Sequence, residues 1–160
     1  MVTLQASLPA TGYWGLVDAF DPSGSRIETI EYLAPITGDL SLPVASFNQS
    51  DVQLIATLLN EGNFDPTSGM VSGTIIDCSG APATGATAEL AGLVYYESAG
   101  IPSATATSTD GSGQFFAFNA PPASMGGFEV QTFESGEPIG IYNVIVKPGA
   151  MTILTAVPNQ

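Results

Sequence analysis

The chain has 160 residues and a formal net charge of −13, with only two cationic side chains, Arg26 and Lys147, against 15 acidic residues and no histidine. This composition argues against nucleic acid or an anionic membrane as a partner, because both require several cations. It also excludes Ser-His-Asp and Cys-His catalysis and every metal site built on histidine.

The negative charge comes from missing lysine and arginine, because charged residues make up only 11% of the chain. Soluble domains ordinarily carry about 25% charged residues. A surface of small polar residues suits an extracellular or cell-surface protein, including one that assembles. Cys78 is the only cysteine, so the chain has no internal disulfide. We expect Cys78 to be half-buried at a strand end or in a turn, with an intermolecular disulfide as the alternative.

Export is expected although no leader is recognised. Residues 1–25 lack a basic start and an uninterrupted apolar core, which a secretory signal would need. No stretch approaches the ~20 apolar residues that cross a bilayer. We therefore expect a secreted or cell-surface protein whose signal is not present in this chain, and no membrane insertion.

Short strands are predicted over the first part of the chain. In chain order they are Val2–Leu8, Tyr13–Phe20 closed by the turn sequence DPSG (21–24), a run containing Ile27, Ile30, Tyr32 and Leu33, and a strand over 37–45 with Pro43 at a sheet edge. Val2–Leu8 alternates apolar and polar residues, as a strand does when it lies on a core by one face. The later runs are dense in β-branched and aromatic residues, which favour strands.

One amphipathic helix interrupts the strands, in the sequence NQSDVQLIATLLNEGN over 48–63. The apolar side chains at the spacing of one helix face are Val52, Ile55, Ala56 and Leu59. Asn48 or Ser50 is the expected N-cap, and Gly62 is expected to end the helix. The apolar face predicts that the helix packs on a sheet or between two domains.

Strands resume after the turn sequence DPTSG (65–69). The predicted β segments are Val71–Ile76, Ala86–Leu90, Leu93–Tyr96, Thr105–Thr109, Gln114–Asn119, Phe128–Thr132, Ile139–Val146 and Thr152–Val157. Turn sequences recur at intervals of about 8–12 residues, which is the pattern of an all-β sandwich or barrel.

The stretch STDGSGQFFAFNAPP predicts a hairpin turn followed by a strand that is apolar on both faces. Gly111 and Gly113 are expected to take the positive φ of such a turn. Strand alternation places Phe116 and Phe118 on one face and Phe115 on the other. A strand of this kind is expected in the middle of a sheet or covered on both sides.

Three sequence blocks follow one another in the second half: VSGTIIDCSGAPATGATAEL, TSTDGSGQFFAFNAPPA and FEVQTFESGEPIGIYNVIVKPGAMTILTAVP. Their order and spacing resemble the carboxypeptidase regulatory-like domain over 70–158. The residues at the matching motif positions are Gly73, Asp77, Gly80, Pro82, Gly85, Ala86, Thr109, Asp110, Gly113, Phe116, Phe118, Pro121, Pro122, Pro148 and Gly149. The resemblance implies a transthyretin-like (prealbumin-like, Ig-like) antiparallel β-sandwich. The return loop PPASMGG and the segment 91–107 are longer than the family pattern.

Three regions are expected along the chain. Residues 1–48 contribute N-terminal strands and resemble the end of a preceding or accessory β unit in exported bacterial proteins that carry such modules. Residues 49–69 form the helix and a linker, and 70–158 form the sandwich domain. The N-terminal strands either add to the sandwich or form a small second sheet.

Two kinds of ligand are considered. Calcium is a weak expectation at Asp110 in DGSG and Asp21 in FDPSGS, because each loop offers a carboxylate and carbonyls. Turn chemistry explains both acids more simply. Carbohydrate requires exposed aromatic rings, and two adjacent pairs, Tyr13 with Trp14 and Tyr95 with Tyr96, are weak candidates, because one ring of each pair must face away from its partner on a strand. The alternative is that the second ring packs under a loop or the helix.

No catalytic residue, resident metal or other cofactor is predicted. Lys147 precedes Pro148 in a predicted turn and has no evident partner for Ser-Lys chemistry. The favoured function is a non-enzymatic extracellular module with a structural or assembly role, either as a spacer or as a subunit of a surface structure or filament. Its partners would be copies of itself or neighbouring domains, because lysine ordinarily guards sheet edges and this chain nearly lacks it. The alternative is a carbohydrate- or peptide-binding module attached to a secreted enzyme.

Overall fold

The computed structural model of the chain describes residues 15–33, 45–59, 62 and 64–158, without the side chains of 125 and 126. The helix is α1 (Gln49–Leu58), and the strands are β1 (Leu16–Ala19), β2 (Thr29–Tyr32), β3 (Gly69–Ile75), β4 (Thr87–Glu89), β5 (Leu93–Ser98), β6 (Ile101–Ser103), β7 (Gln114–Ala120), β8 (Ala123–Glu134), β9 (Glu137–Val146) and β10 (Met151–Ala156). The predicted all-β class with one short helix is confirmed. The more specific transthyretin-like assignment stays a prediction.

The strands form two sheets. The large sheet has the order β1-β2-β10-β3-β7-β5-β6 and the small sheet has the order β4-β8-β9. Most pairs are antiparallel, as predicted, but β10 runs parallel to both β2 and β3. This difference arises because β10 follows β9 of the small sheet. It enters the large sheet by a connection between sheets, so no hairpin with a neighbouring strand sets its direction.

The main core lies between the two sheets. Phe115 of β7 and Ile75 of β3 belong to one buried cluster with Val130 of β8 and Val144 of β9. Gly73 makes this packing possible, because a Cβ atom there would stand 2.5 Å from a ring carbon of Phe115. The sandwich is therefore closed around an aromatic ring that leaves no space for a side chain on the facing position of β3.

Helix α1 covers the opposite face of the large sheet. A second buried cluster consists of Val52, Ala56, Leu59, Met70, Phe118 and Met151, with Ile55 partly buried at its side. The predicted apolar stripe and its packing on a sheet are confirmed. Asn48 is the N-cap and forms a capping box with Asp51. The helix ends before Gly62, which does not cap it, because the C-cap is Leu59; the Gln53 side-chain amide donates to the Gly62 carbonyl at 2.8 Å.

Strand β7 confirms the prediction made from its three phenylalanines. It lies inside the large sheet between β3 and β5. Phe115 packs in the core between the sheets, whereas Phe116 and Phe118 belong to the helix-side cluster. Pairing with two strands and cover on both faces explain why neither face of β7 is polar.

The turn before β7 differs from the prediction. Gly113 has a φ of 69° but Gly111 has no positive φ, and β7 pairs with β3 and β5 rather than with a strand at Thr105–Thr109. The predicted hairpin is wrong because Thr109 is committed elsewhere. Its backbone N–H donates to the Ala86 carbonyl, and its hydroxyl donates to the Ala83 carbonyl at 2.6 Å. The strand in this region is instead β6, which forms a hairpin with β5.

The N-terminal strands join the large sheet. β2 pairs with β1 on one side and with β10 on the other, which is the first of the two arrangements expected for this region. The predicted strand over Val2–Leu8 and all but the last residue of the one over 37–45 lie outside the described residues. Cys78 lies in a turn, as expected, but it is exposed rather than half-buried, because the interior of that turn is occupied by hydrogen bonds to the Asp77 carboxylate.

Candidate binding groove beside strand β9

The two sheets differ in width, so in the described part of the chain the small sheet does not extend over the β1–β2 end of the large sheet. The large sheet continues past β10 through β2 and β1, whereas the small sheet, within the described residues, stops at β9. Leu16 pairs with Tyr32, and the register between β2 and β10 brings Leu154 next in the same row. Residues directly opposite each other share a face of a sheet, so these three side chains form one apolar row.

A groove of about 590 Å³ runs between this row and β9. Leu16, Tyr32 and Leu154 line it on the side of the large sheet, and Ile141 and Asn143 line it on the side of β9. None of the described residues that line the groove carries a charge. The groove is therefore chemically suited to a neutral and partly apolar occupant.

Strand β9 directs backbone groups into the groove. The Ile145 N–H donates to the Tyr32 hydroxyl at 2.8 Å, and the Ile145 carbonyl accepts from the Thr152 hydroxyl at 2.6 Å. Backbone groups of alternate residues point to the same side of a strand, so Ile141 and Asn143 direct theirs to this side as well. No other strand of the described chain pairs with this edge of β9.

The two tyrosines of the groove hold its walls in place. The Tyr142 hydroxyl donates to the Val157 carbonyl, and Tyr32 bonds β9 from the large sheet. Burial raises the pKa of both phenols above the ordinary value of 10.0. Both hydroxyls are therefore protonated at neutral pH and act as hydrogen-bonding groups rather than as bases.

The predicted aromatic candidates do not come together in a sugar site among the described residues. Tyr96 is 5% exposed in the core between the sheets, and its hydroxyl accepts from the Ala88 N–H at 3.0 Å. Its ring is not available for stacking on a sugar, which corrects that part of the carbohydrate hypothesis. Tyr95 packs at the helix-side cluster on the other face. Tyr13 and Trp14 lie outside the described residues.

The two calcium candidates use their carboxylates to build turns. Asp21 accepts hydrogen bonds from the hydroxyls and N–H groups of Ser23 and Ser25, and these bonds hold its pKa far below its ordinary value. Asp110 accepts from the Ser112 N–H and the Ala99 N–H, each at 2.9 Å, and its pKa is also lowered, chiefly by the Ser112 N–H. A calcium ion would compete with these donors.

The same turn recurs at two further aspartates. Asp65 accepts from the N–H and hydroxyl of Thr67, and Asp77 accepts from the N–H and hydroxyl of Ser79. All four turns follow one sequence pattern, Asp-x-Ser/Thr, and this pattern can be recognised in the sequence alone. In the part of the chain that the structure describes, no three His, Cys, Asp or Glu side chains form a group that would hold a metal.

Lys147 has two partners that the sequence did not indicate. Its ammonium donates to Asp18 Oδ2 at 2.6 Å and also bonds the Glu28 carboxylate. The Lys147 hydrogen bond lowers the pKa of Asp18, and in return the bond with Asp18 raises the pKa of Lys147. This ion-pair cluster ties the turn between β9 and β10 to β1 and to the residue before β2.

In comparisons with known proteins, no protein-family model, curated protein or solved structure matches this chain. The resemblance to the carboxypeptidase regulatory-like domain therefore stays a prediction. No helix within the described ranges is long and apolar enough to cross a membrane.

Proposed function

We propose that this chain is a non-enzymatic β-sandwich module of an exported protein, with a structural or assembly role as a spacer or as a subunit of a surface structure. The observation that carries the proposal is the use of its charged groups. Four aspartates each organise their own turn, and Lys147 ties its own turn to β1 and to the residue before β2. These five charged side chains therefore stabilise the fold itself, which is what a spacer or a structural subunit requires.

The surface supports an association role. Large apolar side chains are exposed at several separate places: Phe20, Leu54, Leu58, Leu93, Ile101 and Ile141. Leu54 and Leu58 lie one turn apart on α1 and therefore share its outward face. Among the described strands, the sheet edges β1, β4 and β6 contain no lysine, which is the usual guard against edge pairing.

The test is the mass of the protein in solution at neutral pH, measured by light scattering across a range of concentrations, with and without millimolar calcium. The assembly role predicts species larger than a single chain that grow with concentration. Leu54→Glu should reduce their mass, and Gln49→Glu adds the same charge at another exposed position of α1 as a matched control. A single-chain mass at every concentration contradicts the assembly role. Growth that requires calcium would show that the protein binds this ion, for which Asp21 and Asp110 are the candidates from the sequence.

The alternative, a carbohydrate- or peptide-binding module, is separated by a second titration. Addition of oligosaccharides would change the fluorescence of Trp14, the single tryptophan, if its ring stacks on a sugar. The structural role predicts no change with glycan, so a saturable change would favour the binding module.

A further inference from the structure

We propose that the groove beside β9 is filled by Val2–Leu8 of the same chain, which pairs with β9 as a fourth strand of the small sheet. The inference concerns the edge of β9 that pairs with no other strand among the described residues, and the half-buried side chains of Leu16 and Tyr32 beside it. It goes beyond the proposed function and does not rest on it, because assembly through other surfaces would leave it unchanged.

The groove has the position of a missing strand. A strand added to the small sheet would lie about 4.8 Å from β9 and would face the large sheet across about 10 Å. Its backbone would bond the outward N–H and C=O groups of Ile141 and Asn143. Its inward side chains would cover Leu16 and Tyr32, which are half-buried. This is recognition by strand addition, in which backbone bonds supply affinity and alternate side chains supply the fit.

The sequence of Val2–Leu8 has the alternation that this position requires. The apolar residues are Val2, Leu4, Ala6 and Leu8, and the polar residues between them are Thr3, Gln5 and Ser7. One face would meet the apolar row and the other would meet solvent. The segment is uncharged, as is the lining of the groove, and Pro9 ends it where proline would end a strand.

The connection is long enough for the segment to reach the groove of its own molecule. Gly15 lines the groove, so the chain enters the described structure at the groove itself. Residues 9–14 separate it from Leu8, and six residues span at most about 20 Å. A tether this short holds the segment at an effective concentration of roughly millimolar, so it outcompetes the same segment of a second molecule at ordinary protein concentrations.

Residues 34–44 are a poorer match for the same position. They leave from Leu33 at the groove but must return to Ala45 and Phe47, and Phe47 packs with the helix-side cluster on the other face of the large sheet. They also contain Pro35, Asp39 and Pro43. Prolines remove donors from a ladder, and the aspartate would place a charge in an uncharged groove.

Hydrogen exchange on the full chain tests the inference directly. Amides within Val2–Leu8, together with those of Ile141 and Asn143, are expected to exchange at least about tenfold more slowly than in an unstructured peptide. The protein would be measured in its single-chain fraction and at several dilutions. Exchange of Val2–Leu8 at the unstructured rate overturns the inference. Protection that disappears on dilution, together with a dimeric mass, also overturns it and assigns the segment to a second copy.

A pair of matched variants in the full chain separates docking in this register from other causes of protection. Leu4→Asn removes an inward apolar side chain and should abolish most of the protection of Val2–Leu8. Thr3→Asn places the same residue on the outward face and should leave protection unchanged. Residues 3 and 4 precede every residue of the main core in the sequence. Circular dichroism checks that both variants fold. Equal effects of the two variants, or no effect of either, would overturn the inference.

A proline at the edge of β9 tests the partner strand. Asn143→Pro removes the N–H that would bond Val2–Leu8, whereas Asn143→Ala removes only the exposed side chain. Protection of Val2–Leu8 should fall about tenfold in the proline variant and persist in the alanine variant. Unchanged protection in the proline variant would show that the segment is held elsewhere.

Discussion

The middle of the large sheet and its β1–β2 end are built from the same kinds of strand but differ in what covers them. In the middle, β3 and β7 lie between the small sheet and α1, and Phe115 and Ile75 are completely buried. At the other end, Leu16 and Tyr32 stand half-buried along the groove beside β9. Stability therefore comes mainly from the middle, and the β1–β2 end is the part that is free to accept another strand.

The two regions are also held by different forces. The middle depends on apolar packing and on buried hydrogen bonds such as those of Thr109. The β1–β2 end buries Ile30 but otherwise depends on backbone pairing with β10 and on the half-exposed ion pairs of Lys147. Packing is insensitive to salt and pH, whereas half-exposed ion pairs are screened by salt and titrate.

The largest expected effect tests the covered region. Phe115→Ala removes a completely buried ring that packs against Gly73 and should lower the free energy of unfolding by about 3–5 kcal/mol. Ile141→Ala, at a side chain 48% exposed on β9, should change it by less than about 0.5 kcal/mol. Urea unfolding of both variants gives the two values. Similar losses for both would break the distinction between the two regions.

A smaller loss is expected from one hydroxyl in the covered region. Thr109→Val keeps the shape but removes the group that bonds the Ala83 carbonyl at 2.6 Å and the Ala86 N–H at 2.9 Å. Because both partners would be left buried and unpaired, the free energy of unfolding should fall by about 1–3 kcal/mol. Thr107→Val, at an exposed threonine nearby, is the control and should be close to neutral. Equal urea midpoints for wild type and Thr109→Val would contradict the role of this hydroxyl.

The ion-pair cluster should contribute less. Lys147→Met leaves Asp18 and Glu28 without their cation, but the three side chains are 39%, 37% and 32% exposed, so the loss should be only about 0.5 kcal/mol. The ion pair lowers the pKa of Asp18, so its contribution is present above the ordinary value of 3.8 and is lost as pH falls through the lowered value. It also raises the pKa of Lys147, so the contribution persists below 10.5 and is lost as pH rises through the raised value.

Thermal unfolding at several pH values and salt concentrations checks this prediction. The difference between wild type and Lys147→Met should be largest near neutral pH in low salt and should shrink in high salt and in strong acid. Arg26→Met removes the other cation, for which no ion pair is found within the described residues, and serves as the control. A difference that is independent of salt and pH would mean that Lys147 stabilises the protein by packing.

The smallest effect is expected at the aspartate turns. Asp110→Asn keeps a side-chain oxygen for the Ser112 and Ala99 N–H groups, whereas Asp110→Ala removes it. The alanine variant should unfold at a lower temperature than the asparagine variant at neutral pH. Because the pKa of Asp110 is lowered, the advantage of wild type is present above the ordinary 3.8 and declines as pH falls through the folded value. An alanine variant as stable as wild type at neutral pH would contradict the role of this turn.

Local patterns predicted the elements that depend on near neighbours in sequence. The helix face of Val52, Ala56 and Leu59 and the two-sided apolar strand with Phe115 are confirmed, because spacing alone decides which side chains share a face. The prediction of a hairpin before β7 was wrong because the partners of Thr109 lie 23 and 26 residues earlier in the chain. The residues of DGSG form the same turn whether or not the flanking segments pair with each other. The turn sequence therefore could not distinguish a hairpin from another kind of connection.

The sequence by itself determined the class of the protein: strands separated by turns, one amphipathic helix, and too few cations and no histidine for several kinds of site. Only the tertiary structure decided that β10 runs parallel to its neighbours, that Tyr96 is buried, and that Lys147 meets carboxylates 129 and 119 residues away. It also decided that the small sheet, in its described part, stops at β9 and leaves a groove. These features depend on how two sheets of unequal width stack, and periodicity along the chain carries no information about that width.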